Sequence, residues 1–287
     1  MPLTADLLAS DPETYRRATQ SPFLSAAAAG QTPKPVLGRW LANDRLYIHA
    51  YIKGVGRLLS ALRLPSTTSP APTVPDKLVQ WLVDALVNVR REEKFFVDTA
   101  RRFGIEVDLP AGPDGVVRQE DKLEGLRRFE GLFAGFETGG GELEWLEGAV
   151  LLYATEKCYL DAWTGAREQL KEEEGDGKGD ADGGALRREF IPNWSSEEFR
   201  AFVDELGGII DEGVEKAGKG VEGELKERAL KVWREVLVAE EHFWPALRVL
   251  QSRGKESCTR FHAVGYRCKE CVFVVNELSF VTNYQKS

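Results

Sequence analysis

The chain has 287 residues, a formal net charge of -8 and four cysteines. This length can bury one sizeable core, and the acidic balance, with no stripe of Lys and Arg, excludes the electrostatic footprint of a nucleic-acid-binding protein. No apolar stretch approaches the roughly 20 residues that span a bilayer, and residues 1–14 lack the regions of a secretory signal. We therefore expect a cytoplasmic protein without nucleic-acid or membrane partners.

Apolar residues recur at helical spacing before residue 260, and strand-like alternation is absent there, which predicts an all-α body of about seven helices. The first predicted helix follows Asp11 and Pro12, an N-cap residue and a proline at the first helical position, and ends at Gly30. The second runs from about residue 35 to 64. It ends in a proline-rich loop at 65–75, which cannot continue a helix and is predicted to be flexible.

Three predicted helices follow, at roughly 76–103, 120–136 and 142–171, with glycines between them. The next segment, 172–185, is acidic and rich in glycine. Because such a composition does not offset the entropy of ordering the chain, we predict a flexible surface loop there. A tolerated insertion is favoured over a metal-binding or partner-binding role, since charge runs of this kind are usually solvated.

The last two predicted helices begin at a capping box, Ser195 to Glu198, and at about Glu222. We place one all-α domain at 1–253 and an appended, poorly ordered tail at 254–287. The tail contains four potential zinc ligands, but their spacing is atypically short for a zinc site: Cys258, His262, Cys268 and Cys271.

Motifs of the common cofactor-dependent and metal-dependent enzymes are absent from the sequence. It contains no His-Glu-x-x-His, no P-loop, no Gly-x-Gly-x-x-Gly and no Gly-x-Ser-x-Gly. No histidine follows a glutamate by three residues, as a di-iron carboxylate bundle requires. We predict no metal site in the helical body and no cofactor.

Three predicted helices place carboxylates among aromatic side chains. Asp44, Tyr47 and Tyr51 share one face of the second helix. Asp44 either faces those rings or points outward to pair with Arg45 or a neighbouring helix, and spacing alone leaves both arrangements open.

Glu156, Tyr159 and Trp163 share a face of the fifth helix, which is apolar enough to be central. A carboxylate there either joins a buried hydrogen-bond network or lines a cavity with a raised pKa. Cys158 points away from this face, so we expect it to be packing rather than a nucleophile.

In the seventh helix, Glu240 lies on the side of Val236 and Phe243, whereas Glu241 does not. Glu240 is therefore the inward candidate. If the three faces meet, their carboxylates and rings would surround a small planar ligand that is cationic or carries an amine.

Four segments resemble, in order and spacing, the landmarks of the TenA (thiaminase II) family over residues 14–248. They are Ala18-Thr-Gln-Ser-Pro-Phe-Leu24, Trp40-Leu-Ala-Asn-Asp-Arg-Leu-Tyr47, Ile191-Pro-Asn-Trp-Ser-Ser-Glu-Glu-Phe199 and Ala239-Glu-Glu-His-Phe-Trp244. The resemblance implies a haem-oxygenase-like all-α fold and a homodimer or homotetramer. It also implies hydrolysis of thiamin, or of its aminopyrimidine breakdown products, to hydroxymethylpyrimidine.

The segment from Ala154 to Trp163 resembles the glutamate-bearing branch of this family that is common in eukaryotes. In that branch a glutamate stands near the absent nucleophilic cysteine. Alignment on the shared tyrosine, Tyr159, puts the place of that cysteine near Thr155 and not at Cys158.

The resemblance also implies roles for individual residues. Asp44 would bind the aminopyrimidine edge, Tyr47 would line the ring slot, and Glu240 would be the general acid or base. The implied catalytic residues are Glu240, Glu156 and Tyr159. The implied substrate-binding residues are Asp44, Tyr47, Tyr51, Phe129 and Trp194.

Two positions depart from the family pattern. Ser21 stands where a histidine is common, and Phe129 or a neighbour replaces a tyrosine. Phe129 and the missing cysteine motivate a second hypothesis, a non-catalytic pyrimidine-binding or regulatory protein. A haem-oxygenase-like oxidoreductase is a weaker third hypothesis, because a haem would need a pocket histidine and His49 is the only early candidate.

Overall fold

The computed structural model describes residues 2–135, 143–170 and 177–246. Over these residues the regular elements are helical, apart from an isolated β-bridge between Ala111 and Val117, and the all-α prediction is confirmed. The α-helices are α1 (Leu3–Ser10), α2 (Pro12–Thr19), α3 (Pro22–Ala28), α4 (Lys34–Ala61), α5 (Val74–Phe103), α6 (Glu124–Gly135), α7 (Leu146–Glu168), α8 (Ile191–Trp194), α9 (Glu197–Ala217) and α10 (Glu222–Glu241).

A 3-10 turn at Gln119–Asp121 and a π-helical turn at Leu186–Phe190 complete the regular structure of the described residues. In the same parts of the chain, no helix is long and apolar enough to cross a membrane. The predicted tail at 254–287, with its potential zinc ligands, lies outside the described residues.

The sequence signals at helix ends act as expected at several positions. The Asp11 side chain accepts a hydrogen bond from Thr14 N at 3.1 Å and caps α2. Thr73 and Asp76 form a reciprocal capping box at the start of α5, and Gly104 ends that helix with a left-handed φ of 64°. Local chemistry therefore defines these boundaries.

The first predicted helix is divided in two in the structure. Pro22 cannot donate a hydrogen bond and disfavours helical backbone at Ser21, so α2 and α3 are separate helices. The Ser21 side chain accepts a hydrogen bond from Phe23 N at 3.3 Å and caps α3. Helix α1, which precedes Asp11, was not predicted.

The described part of the predicted acidic loop is packed against the body instead of being solvated. Asp182 is buried, and its carboxylate accepts hydrogen bonds from Gly184 N at 2.8 Å and Leu186 N at 2.7 Å. Asp180 forms a largely buried ion pair with Arg187 at 2.9 Å. Residues 177–185 of the segment predicted to be a solvated loop are thus packed, because these carboxylates accept hydrogen bonds from backbone N–H groups and pair with a cation. Composition alone does not show such pairing.

Helix α7 is central to the bundle and packs against α2, α3, α4, α8, α9 and α10. A cluster of aromatic rings lies between these elements: Phe23, Trp40, Trp163, Trp194 and Trp244. Trp244 also donates a hydrogen bond from Nε1 to Ala18 O at 2.6 Å. The cluster joins the start of the chain to the residues that follow α10.

Helix α6 meets the end of α10 at Gly125, whose backbone N–H donates to His242 O at 3.0 Å. A Cβ at this position would lie 2.4 Å from Phe243 N and 2.5 Å from Ala239 O. Only glycine allows this close approach without backbone movement. The contact brings Phe129 of α6 against Phe243, with ring centroids 5.8 Å apart.

We expect Gly125→Ala to lower the free energy of unfolding by about 1–3 kcal/mol, because the added methyl group meets backbone atoms that must shift. Gly131→Ala is a matched control on the same helix, since a Cβ there has no neighbour within 4 Å. It should leave stability unchanged or raise it by up to about 1 kcal/mol. Urea denaturation of both variants measures the difference, and equal effects would contradict the packing argument.

Candidate functional site

A cavity of about 160 Å³ lies among α4, α5, α6, α7, α8, α9 and α10. The three predicted faces meet there, and Asp44 faces the cavity instead of the solvent. The structure brings together all eight residues predicted for the site, which are Asp44, Tyr47, Tyr51, Phe129, Glu156, Tyr159, Trp194 and Glu240.

Five carboxyl groups line the cavity. Four of them come from different helices and converge on its interior: Asp44 of α4, Glu92 of α5, Glu156 of α7 and Glu240 of α10. The fifth, Glu198 of α9, is exposed. Among the described lining residues, Arg91 is the one with a cationic side chain, and that side chain is exposed and pairs with Glu198 at 3.3 Å. The carboxyl groups therefore converge without a cation between them in the described part of the chain.

Hydrogen bonds contact three of these carboxyl groups, those of Glu156, Glu92 and Asp44. The Tyr51 hydroxyl donates to Glu156 Oε1 at 2.7 Å. Trp194 Nε1 donates to Glu92 Oε1 at 2.5 Å. The Tyr159 hydroxyl makes a long contact of 3.5 Å with Asp44 Oδ2.

Burial is the main reason why these carboxyl groups hold protons more tightly than usual. It raises the pKa of Asp44 to about 8; the Glu92 charge raises it further, and the Tyr159 hydroxyl opposes the shift. Burial raises the pKa of Glu156 to about 7, against the hydrogen bond from Tyr51. The pKa of Glu240 is also raised, first by burial and then by the charges of Asp44 and Glu156. Carboxyl groups of this kind can exchange protons near neutral pH.

The two adjacent glutamates at the end of α10 face in different directions. Glu240 is 4% exposed and lines the cavity. Glu241 instead forms an ion pair with Arg17 at 2.9 Å on the surface. The predicted inward direction of Glu240 is the direction observed.

Aromatic rings form the walls of the cavity. Tyr47 and Phe129 meet edge to face, with ring centroids 5.0 Å apart, and Tyr47 also contacts Phe243 at 5.8 Å. On another side, Tyr159 contacts Trp194 edge to face at 5.6 Å. Such walls favour a flat, apolar ring with polar substituents.

Thr155 lines the cavity, and its hydroxyl donates to Leu152 O at 3.0 Å. Cys158 is fully buried, is not among the lining residues, and has a pKa raised by burial. The cavity wall of α7 thus presents a threonine where the resemblance locates the nucleophilic cysteine. The Cys158 thiol has neither the ionisation nor the access that a nucleophile needs.

Sequence reasoning missed Glu92 and Asn193. Helix α5 carries an apolar stripe through Ala85, Val89 and Phe96, and Glu92 occupies the position in that stripe where another apolar residue is expected. A carboxylate that interrupts a buried stripe was the available signal. Asn193 carries no such signal, because it precedes the predicted helix that begins at the capping box.

His49, the residue that a haem-binding hypothesis requires, is not among the cavity-lining residues. Its Nε2 lies 3.0 Å from Glu93 Oε1, on the other side of α4. The geometry therefore gives the oxidoreductase hypothesis no histidine ligand among the described lining residues.

No protein-family model matches the chain. A TenA homologue from Pyrococcus furiosus has the same fold with a TM-score of 0.62 and 25% identity, covering 84% of this chain and 98% of that one. A TenA homologue from Pyrococcus horikoshii has a TM-score of 0.58 and 16% identity, covering 85% and 99%. The first of these neighbours supports the TenA family, and the second shows the shared fold.

Two further relatives of this TenA-like chain are described as regulators. A TenA family transcription regulator from a Silicibacter species has a TM-score of 0.58 and 14% identity, covering 84% of this chain and 94% of that one. A probable transcription factor from Fusarium pseudograminearum is 25% identical over an alignment of 236 residues, which covers 73% of this chain. The match covers 45% of that protein, so the chain spans about half the length of this curated relative.

The raised pKa values predict that the TenA-like domain loses stability as the pH rises. Unfolded carboxyl groups titrate near pH 4, whereas Asp44 and Glu156 titrate at about 8 and 7 in the folded state. Between these values the native state binds more protons than the unfolded state, so the free energy of unfolding falls with increasing pH.

Asp44→Asn should reduce this fall, because the variant has no proton to lose at that position. Asp84→Asn, on the exposed face of α5, is the control and should keep the wild-type slope. Chemical denaturation across the range from about pH 5 to about pH 9 measures the slopes. Identical slopes for the wild type and Asp44→Asn would contradict the prediction.

Proposed function

We propose that the protein is a hydrolase that converts an aminomethylpyrimidine, or its formyl derivative, to hydroxymethylpyrimidine. The observation that carries this proposal is the convergence of Asp44, Glu156 and Glu240, all with raised pKa values, in one aromatic cavity. Such a cavity favours a planar ring with N–H donors. Its carboxyl groups can supply and accept the protons that release of an amine requires.

In the proposed complex, Asp44 accepts hydrogen bonds from the amino edge of the pyrimidine. Tyr47 and Phe129 flank the ring, and Tyr159 supports Asp44 through its hydroxyl contact. Tyr51 holds Glu156 by its 2.7 Å hydrogen bond, so that the carboxylate has a defined direction. These contacts would orient the reacting carbon before the chemical step.

In the proposed reaction, a water oxygen attacks the methylene carbon that bears the amine. The new C–O bond forms as the C–N bond breaks, and the nitrogen leaves with the electron pair. The leaving nitrogen is protonated, with a proton that it carries on binding or receives from Glu240, and Glu156 or Glu240 takes a proton from the water. The products are the alcohol and ammonia, or the alcohol and formamide from the formyl derivative, and no oxidant or reductant is needed.

Two observations support the glutamate-bearing branch of the family as part of this proposal. Glu156 faces the cavity, and Thr155 lies where the cysteine of the other branch would be. The same resemblance extends the proposal to a cytoplasmic homodimer or homotetramer that works without a cofactor.

A second candidate function is a pyrimidine-binding or regulatory protein without turnover. Phe129 in place of a tyrosine, and the threonine at 155, favour it. Two relatives with regulatory names also support it, although those names describe only those proteins.

A direct assay separates the two candidates. Purified protein is incubated with aminomethylpyrimidine and, separately, with thiamin, and hydroxymethylpyrimidine is followed by chromatography. Product from the amine, with little from thiamin, would support the hydrolase. Tight binding of the amine without product from either compound would overturn the hydrolase and support the binding protein.

Glu240→Gln should lower kcat by about 100-fold or more, because the amide can neither take a proton from the water nor protonate the leaving nitrogen. Glu241→Gln is a matched control: it changes the neighbouring residue, which pairs with Arg17 outside the cavity. The control should retain wild-type turnover. Steady-state kinetics and calorimetric binding measure both variants. Wild-type kcat in Glu240→Gln would refute the assigned role.

Cys158→Ala should retain turnover, because the thiol is buried away from the cavity and does not take part in the reaction. Kinetics are measured at a temperature where circular dichroism shows that the variant is folded. A folded variant without activity would show that the reaction depends on Cys158, contrary to the proposed water attack.

A further inference from the structure

Glu92 is the one cavity carboxylate with two neighbouring N–H donors on another helix, within the described residues. Trp194 Nε1 lies 2.5 Å from Oε1, and Asn193 Nδ2 lies 3.0 Å from Oε2 and 3.2 Å from Oε1. Both Glu92 oxygens therefore accept hydrogen bonds. A protonated carboxyl group would place a hydroxyl donor against one of these N–H groups, so the arrangement fits the anionic form.

These contacts tie α8 to α5. Helix α8 has only four residues and follows a π-helical turn. Hydrogen bonds within so short a helix do little to fix its orientation relative to α5. The Trp194 ring is buried, stacks on Phe190 at 4.8 Å and lies 4.6 Å from Trp163. Glu92 supplies the polar contact that sets the direction of the indole N–H edge within this packing.

Glu92 also lies next to the carboxyl groups proposed to bind the ring and activate water. Its charge raises the pKa of both Asp44 and Glu156, which places it within electrostatic reach of each. The groups that act on Glu92 itself are the Trp194 and Asn193 donors and the Arg91 cation, and all three oppose the rise of its pKa by burial. The net pKa of Glu92 is raised, and in its anionic form, which the N–H donors stabilise, its negative charge favours a positively charged ligand at this end of the cavity.

We propose that Glu92 is a positioning and specificity residue, which fixes the Asn193–Trp194 wall and makes the cavity select a protonated amine over its neutral alcohol counterpart. The ligand class rests on the proposed function, because aminomethylpyrimidine and hydroxymethylpyrimidine differ in this one substituent. Selection of the amine would also favour release of the alcohol after turnover.

The test compares Glu92→Gln with Glu93→Gln. The amide keeps the size of Glu92 and one acceptor oxygen but removes the charge. Glu93 is the matched control, since it is the next residue on α5 and pairs with His49 and Arg90 outside the cavity. Binding of aminomethylpyrimidine and hydroxymethylpyrimidine is measured by calorimetry at about pH 7, in the Glu240→Gln background so that no turnover occurs during the titration.

We expect Glu92→Gln to weaken amine binding at least about tenfold more than alcohol binding, and Glu93→Gln to change neither. In the enzyme that keeps Glu240, Glu92→Gln should raise KM for the amine more than it lowers kcat. Glu92→Asp, which keeps the charge, should retain the preference for the amine. If Glu92→Gln does not fold, Glu92→Asp tests the proposal in its place. Loss of the preference for the amine in a folded Glu92→Asp would contradict the proposed role of the Glu92 charge.

Equal weakening of both ligands by Glu92→Gln, or the same behaviour in Glu93→Gln, would overturn the inference. Binding of neither ligand by the parent protein would overturn it as well. The two proposals fail separately: if the parent protein prefers the amine through Glu92 but produces no alcohol in the turnover assay, the inference stands and the hydrolase proposal is wrong.

Discussion

Burial of several carboxyl groups in one cavity, without a cation between them in the described chain, is the constraint on which the rest of the structure depends. An isolated buried carboxylate is costly, and like charges in one site add to the cost. The protein meets this cost in two ways. Burial raises the pKa of all four carboxyl groups in the interior, so that they hold their protons at higher pH than usual, and Glu92 also accepts hydrogen bonds from an indole and an amide, which oppose the rise of its pKa. A cationic, amine-bearing ligand would relieve the remaining repulsion.

The scaffold around the cavity is built to keep these groups close. Rings of Trp40, Trp163 and Trp194 pack together, with centroid separations from 4.6 to 5.6 Å. Because Gly125 has no side chain, the backbone of α6 can contact the backbone at the end of α10, next to Glu240. Close packing of this kind limits the movement of the site side chains, which a preorganised binding or catalytic site requires.

Both candidate functions use the same cavity, and they differ in what happens to a proton. A binding protein needs only the negative potential and the aromatic walls, whereas a hydrolase also needs a protonated leaving nitrogen and needs Glu156 or Glu240 to take a proton from the water. Thr155 and the buried Cys158 offer no activated nucleophile to either. The TenA homologue from Pyrococcus furiosus supports the family, and the chemistry of the carboxyl groups is the reason to favour hydrolysis.

The sequence by itself determined the helical class, the caps at Asp11 and Thr73, and the inward direction of Glu240, because helical periodicity and capping act over a few neighbouring residues. A residue that interrupts an apolar stripe, such as Glu92, could have been recognised in the same way. Only the tertiary structure decided that the faces of α4, α7 and α10 meet, that Glu92 pairs with Asn193 and Trp194, and that Asp182 is buried. The physical reason is that a buried polar group is stabilised by partners far along the chain, and the partners of Glu92 lie 101 and 102 positions away.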